Sequence, residues 1–217
     1  MTPAAGRAVR HPPGRAGRLW LEHRLATARR GAEILDRKLH LLLQEEQRSS
    51  ARLVVTGRAW EVACGEARHW GLLVSALGGA TALRPAVPGT ATAQVGWSTT
   101  MGVRHPAAVT TRFPEDLGAM LDATAALPGA RAAYRRAVVA AAEHASATAT
   151  ARLIRAEIAV TRGRVRAIRD RWVPGLEQAL ETLQSALAEE EAADAARLRR
   201  LAPRPTRAVR RHGEEEP

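Results

Sequence analysis

Apolar residues in the first third of the chain recur in a strict alternation of fours and threes: Leu21, Leu25, Ala28, Ala32, Leu35, Leu39 and Leu42. A repeat of 3.5 residues puts one narrow apolar stripe on a helix, and such a stripe is buried only against a partner helix. The stripe continues through Glu46, Ser49, Leu53, Thr56, Trp60, Ala63, Ala67, Trp70, Val74 and Leu77, with Glu46 and Ser49 as polar interruptions. A matching stripe appears late in the chain: Ile154, Ile158, Thr161, Val165, Ile168 and Trp172. Together they predict a mainly α fold. The N- and C-terminal segments pair as a long antiparallel two-helix coiled coil, a stiff rod with its termini together.

Punctuating residues divide the chain. Residues 1–17, with Pro3, Pro12 and Pro13 and three glycines among arginines, read as a flexible basic arm. The N-terminal coiled-coil helix is expected over 18–80, from near Arg18 to about Leu77, with Gly78-Gly79 as its stop. Residues 81–129 form a central region. Within it, Thr/Val alternation over 90–113 predicts a small β-hairpin, and Pro114 to Leu127 a short helix stopped by Pro128-Gly129. The C-terminal coiled-coil helix is expected over 130–201, and residues 202–217 as a disordered Arg/Pro-rich tail. The start of that last helix is almost all alanine, Ala137 to Ala151, and antiparallel pairing sets it opposite Trp60 and Trp70, large against small. Pro174 should kink the helix, because proline lacks a donor and clashes with the preceding turn. The seam Ile168, Trp172, Leu176, Leu180, Leu183, Leu187 carries an extra step of four there, a stutter that locally unwinds a supercoil.

Composition agrees with a narrow seam rather than a thick core. There is one Phe and one Tyr, five Trp are the bulky exceptions, and the 46% apolar content is largely Ala and Leu. The net charge of +11 points to an anionic partner, and almost all of it is arginine; Lys38 is the single lysine. Cys64 is alone, so no intrachain disulfide forms. Without a run of eighteen apolar residues or a signal-peptide core, the chain is expected to be cytoplasmic.

Catalytic signatures are missing. A phosphate-binding loop needs a lysine after its glycines, and Lys38 lies in a helical stretch instead. Cys64 and His69 are too few ligands for a zinc site. His105 before Pro106 reads as a loop histidine, and Glu189, Glu190 and Glu191 as a solvated face, since neighbouring helical positions point different ways. The expectation is a non-enzyme without cofactor or metal.

Three segments carry a family resemblance. Arg18 to Lys38 has a Leu-rich basic opening and then an Arg-Gly and a leucine-acid-lysine cluster, through Leu21, Leu25, Arg30, Gly31, Leu35 and Lys38. Met101, Gly102, Val103 and Pro106 form a Met-Gly-Val-basic-x-Pro motif in the hairpin region. Thr161 to Glu177 holds Thr161, Arg162, Arg164, Val165, Ala167, Pro174, Leu176 and Glu177 in a Thr-Arg-x-Arg-Val run followed by an apolar-Pro-x-Leu-Glu. In this order the chain resembles the D subunit of the V-type (A/V-type) rotary ATPases, the central-stalk shaft. It departs from the family at Arg166, commonly Asn, at Arg169, commonly Glu, and at Gly163 and Gly175, commonly basic.

The resemblance implies a non-catalytic rotor that couples ATP hydrolysis or synthesis to ion transport. It implies as partners the hexamer of A and B subunits, the F subunit and a membrane-ring adaptor, with the chain peripheral to the membrane through the complex. Arg29, Arg30, Arg162, Arg164 and Arg166 are the expected partner interface, facing acidic groups of the hexamer. The alternatives are a basic coiled-coil nucleic-acid binder, favoured by the charge, and a plain scaffold.

Overall fold

The computed structural model describes residues 9–78, 90–114 and 124–201. The elements in order are helix α1 (Gly14–Gly78), strands β1 (Thr92–Thr100) and β2 (Val103–Arg112), helix α2 (Leu127–Ala167), one wide turn (Ile168–Trp172) and helix α3 (Val173–Leu201). The first eight residues of the expected arm (1–8), the linker at 79–89, most of the expected short helix (115–123) and the Arg/Pro tail (202–217) lie outside the described residues.

The chain divides into two compact units, one of residues 1–32 with 167–217 and one of 33–166. In the first, Leu21, Leu25 and Leu176 form a buried cluster, joined by Trp20, Ala28, Val173, Leu180 and Leu183. Arg15 pairs with Glu191 at 2.9 Å and Arg29 with Glu177 at 2.7 Å, so α1 and α3 run antiparallel. The first helix starts at Gly14, inside the stretch expected to be a flexible arm.

In the second unit α1 and α2 pair antiparallel: Lys38 meets Glu157, Glu46 meets Arg155, and Glu66 meets Arg136. Three clusters fill the seam. Leu42, Ile154 and Ile158 pack with Leu39, Leu43 and Val103. Ala67, Ala133 and Ala137 pack with Ala63, Cys64 and Trp70. Val74, Ala126 and Ala130 pack with Trp70 and Leu127. Branched side chains interdigitate at one level, and alanines bring the helices close at the next, with Trp70 filling the remainder. The α2 helix begins at Leu127, so Pro128-Gly129 opens it rather than ending a shorter one. Proline in a first turn gives up only a donor that has no intrahelical partner. At Gly129 a Cβ would come within 2.6 Å of the Trp70 ring, so only glycine lets the indole sit there.

The hairpin is antiparallel, with Thr100 paired to Val103 across a two-residue turn. Met101 (φ 51) and Gly102 (φ 82) both take positive φ, as a turn matched to strand twist requires. The register shifts at Gly96/Trp97, where β2 carries one extra residue, Ala107. That bulge accommodates Pro106, which has no N–H to give a ladder, and breaks the in-out alternation. Pro106 is thus buried out of phase, beside His105, which keeps the alternation of Val103, Ala107 and Val109. His105 was expected in a loop, but lies in β2 at 7% exposure. Its Nε2 is 3.1 Å from the Thr100 hydroxyl and its Nδ1 3.1 Å from the Pro106 carbonyl. The hairpin is moored to both helices: Thr150 donates to the Pro106 carbonyl at 2.8 Å and Arg52 to that of Ala107 at 3.0 Å.

Candidate interaction surface

The five arginines expected at an interface fall into two groups. Arg29 is committed within the chain, donating to Glu177 in the first unit. Arg164 acts on Glu157 in the second. Arg30, Arg162 and Arg166 are exposed and make no ion pair among the described residues. The buried stripe of α2 here is Ile158, Thr161 and Val165. At 3.6 residues per turn, Arg162 and Arg166 flank that stripe on one side and Arg164 on the other.

Lys38 and Glu157 form the most sheltered ion pair, 2.5 Å apart with each side chain 26% exposed. The hydrogen bond from Lys38, its charge and that of Arg164 hold the Glu157 carboxyl below the usual carboxylate range, against the opposing effect of burial. The pair fixes the register of α1 on α2.

The motif positions that carried the resemblance have definite tasks. Leu21, Leu25 and Leu176 make the first unit's core, and Glu177 holds Arg29. Val103 packs on the Leu42–Ile154–Ile158 cluster, Met101 and Gly102 make the hairpin turn, and the buried Pro106 presents its carbonyl to Thr150. Val165 is buried in α2. Gly31 has open space around it, and Pro174 is exposed.

A feature that the sequence pattern did not isolate lies in the second unit. An open groove of about 520 Å³ runs between α1 and α2, lined by Trp60, Cys64, Arg68, Leu72, Tyr134 and Val138 among others. Exposed apolar side chains line it, notably Leu72 at 67%, Tyr134 at 48% and Val138 at 42%. Trp60 was expected in the seam against alanines; it is part-exposed and stacks on His144, ring centroids 5.3 Å apart. The available signal was slight: Trp60, Cys64, Arg68 and Leu72 recur at steps of four along α1.

Among the described residues no group of three or more His, Cys, Asp or Glu is placed to hold a metal ion. No described helix is long and apolar enough to cross a membrane. Among the described residues the surface offers paired and unpaired charge and an apolar groove, the means of binding other proteins. A family model described as the D subunit of ATP synthase matches residues 19–202. No curated protein matches the chain.

Proposed function

Because the chain belongs to the ATP synthase D subunit family, and so is a non-catalytic central-stalk component of a V/A-type rotary ATPase, we propose that it transmits torque inside that complex. In this reading it turns within the hexamer of A and B subunits and links ATP hydrolysis or synthesis there to ion transport. It associates with the membrane through the complex, on the cytoplasmic side.

Support comes chiefly from the ion pairs that lock antiparallel helices in register. Arg29–Glu177 does so in one unit and Lys38–Glu157 with Glu46–Arg155 in the other. Torque passes along helices only if neither slides on its partner. The exposed Arg30, Arg162 and Arg166 are then available to acidic groups of the hexamer. Charge on a wet surface attracts a partner without the deep, sticky contact that would stop rotation. The apolar groove between Trp60 and Tyr134 suits a tighter, permanent contact, and we assign it to the F subunit or the membrane-ring adaptor.

Native mass spectrometry of the chain co-expressed with A, B and F subunits tests the reading. One copy per hexamer is the expected result, and a chain that stays apart from a correctly folded hexamer refutes it. Charge reversal at Arg30, Arg162 and Arg166 should then weaken the coupling of hydrolysis to ion pumping. Arg29 and Arg164 are poor choices for that test, because reversing them also disturbs Glu177 and Glu157.

A further inference from the structure

Between Val165 and Leu176 the helix departs from α geometry. The Val173 N–H bonds to the Ile168 carbonyl, five residues back, which makes the turn Ile168–Trp172 wide. No residue of this turn is buried, and Trp172 is 45% exposed. It was expected in the seam. The seam positions on either side, Val165 and Leu176, are buried, and the wide turn carries Trp172 out of the seam between them. Pro174 follows and has no N–H, so one more backbone bond of the next turn cannot form.

Three helical glycines accompany the turn: Gly163 before it, Gly175 after it and Gly31 on α1. A Cβ at any of them would meet nothing within 4 Å. Packing therefore does not require glycine there, in contrast to Gly71, where a Cβ would lie 2.7 Å from the Tyr134 hydroxyl. Glycine weakens a helix relative to alanine. The Arg29–Glu177 bond brings Gly31 to the level of Gly175 in the antiparallel first unit. Both helices of that unit are thus softened at one level, by glycines that serve no contact.

We propose that residues 168–175, with Gly31 opposite, form a compliant joint. It is a short stretch that twists and bends under load while the packed helices around it keep their register. As a property of a rotor it rests on the torque reading above. As a property of the chain it stands on backbone geometry alone. Glycines at 163 and 175, where the resemblance places basic residues, make it a feature of this chain.

Hydrogen exchange of the full chain, read by mass spectrometry, tests the joint. Amides of residues 169–176 should exchange about tenfold faster than those of 154–165 and 179–187, which pack on α1. The triple variant G31A/G163A/G175A, which fills open space, should slow exchange in 169–176 several-fold and leave the flanks unchanged. In the assembled complex with the shaft stalled, the same variant should narrow the angular spread of a bead carried by the chain. Uniform exchange across 154–187, or exchange indifferent to the triple variant, overturns the joint. Slowed exchange with an unchanged angular spread overturns its role under load. Failure of the wild-type chain to join the hexamer strikes the torque reading and leaves the exchange result intact.

Discussion

The seam of the second unit is filled in two ways. Around Leu42, Ile154 and Ile158 it is built from branched side chains of similar size, closed over by Val103 from the hairpin. Around Ala67, Ala133 and Ala137 it is built from methyl groups, with Trp70 set against Gly129. The first arrangement distributes its burial over many partners. The second concentrates it in one indole and one missing Cβ. Two helices can therefore be held equally well by interdigitation or by close approach, but the two differ in what they tolerate. The branched region should resist loss of volume poorly and accept conservative swaps. The alanine region should accept nothing larger at its points of contact.

Four substitutions probe that contrast. Ile154→Ala removes a fully buried side chain from the branched cluster and should cost about 4 kcal/mol, a fall in Tm of roughly 8–16 °C by calorimetry. Ile154→Val should cost no more than about 1 kcal/mol at the same site. Trp70→Ala in the alanine region should cost about 3 kcal/mol; a Tm shift near zero would show that the indole does not close the seam. Gly129→Ala should cost about 2 kcal/mol by overpacking against Trp70, and G129A/W70F should recover part of it. If Gly129→Ala stabilises the chain, close approach is not what this region depends on.

A comparably small effect belongs to Lys38→Ala, about 1 kcal/mol near neutral pH. Glu157 has a folded pKa below its ordinary 4.5, so its contribution is present above that value. It is lost as the pH falls through the lower folded value. Denaturation followed from pH 7 downward should show wild type losing this contribution below pH 4.5, and Lys38→Ala losing much less of it.

Much of the architecture was legible in the residues. Every seam position from Leu21 to Leu42 is buried or half-buried, because a 3.5-residue repeat leaves little choice of face. The hairpin was legible from Thr/Val alternation, but the burial of His105 was not. It depends on how β2 docks on the helices, which sets His105 beside Ser49, Arg52, Ala147 and Thr150. Trp172 was misplaced for another reason: a wide turn carries out of the seam a residue that heptad counting assigns to it. The five arginines expected at an interface were legible as exposed charge. Which of them are already engaged was not: Arg29–Glu177 depends on the register between distant segments, and Arg164 acts on Glu157 from two turns along the same helix. The groove by Trp60 escaped because its walls come from two helices, and each wall looks like ordinary surface in its own stretch.

Lys38 is the only lysine of the chain. It sits inside α1, tied to Glu157 across the seam. A protease that cuts only after lysine therefore has a single target, and it must wait for the helix pair to part there. Under conditions where reclosing outruns cleavage, the digestion rate gives the free energy of that local opening directly. One amino-acid choice has made the middle of the helix pair a reporter of its own stability, against a background of arginines that such a protease ignores.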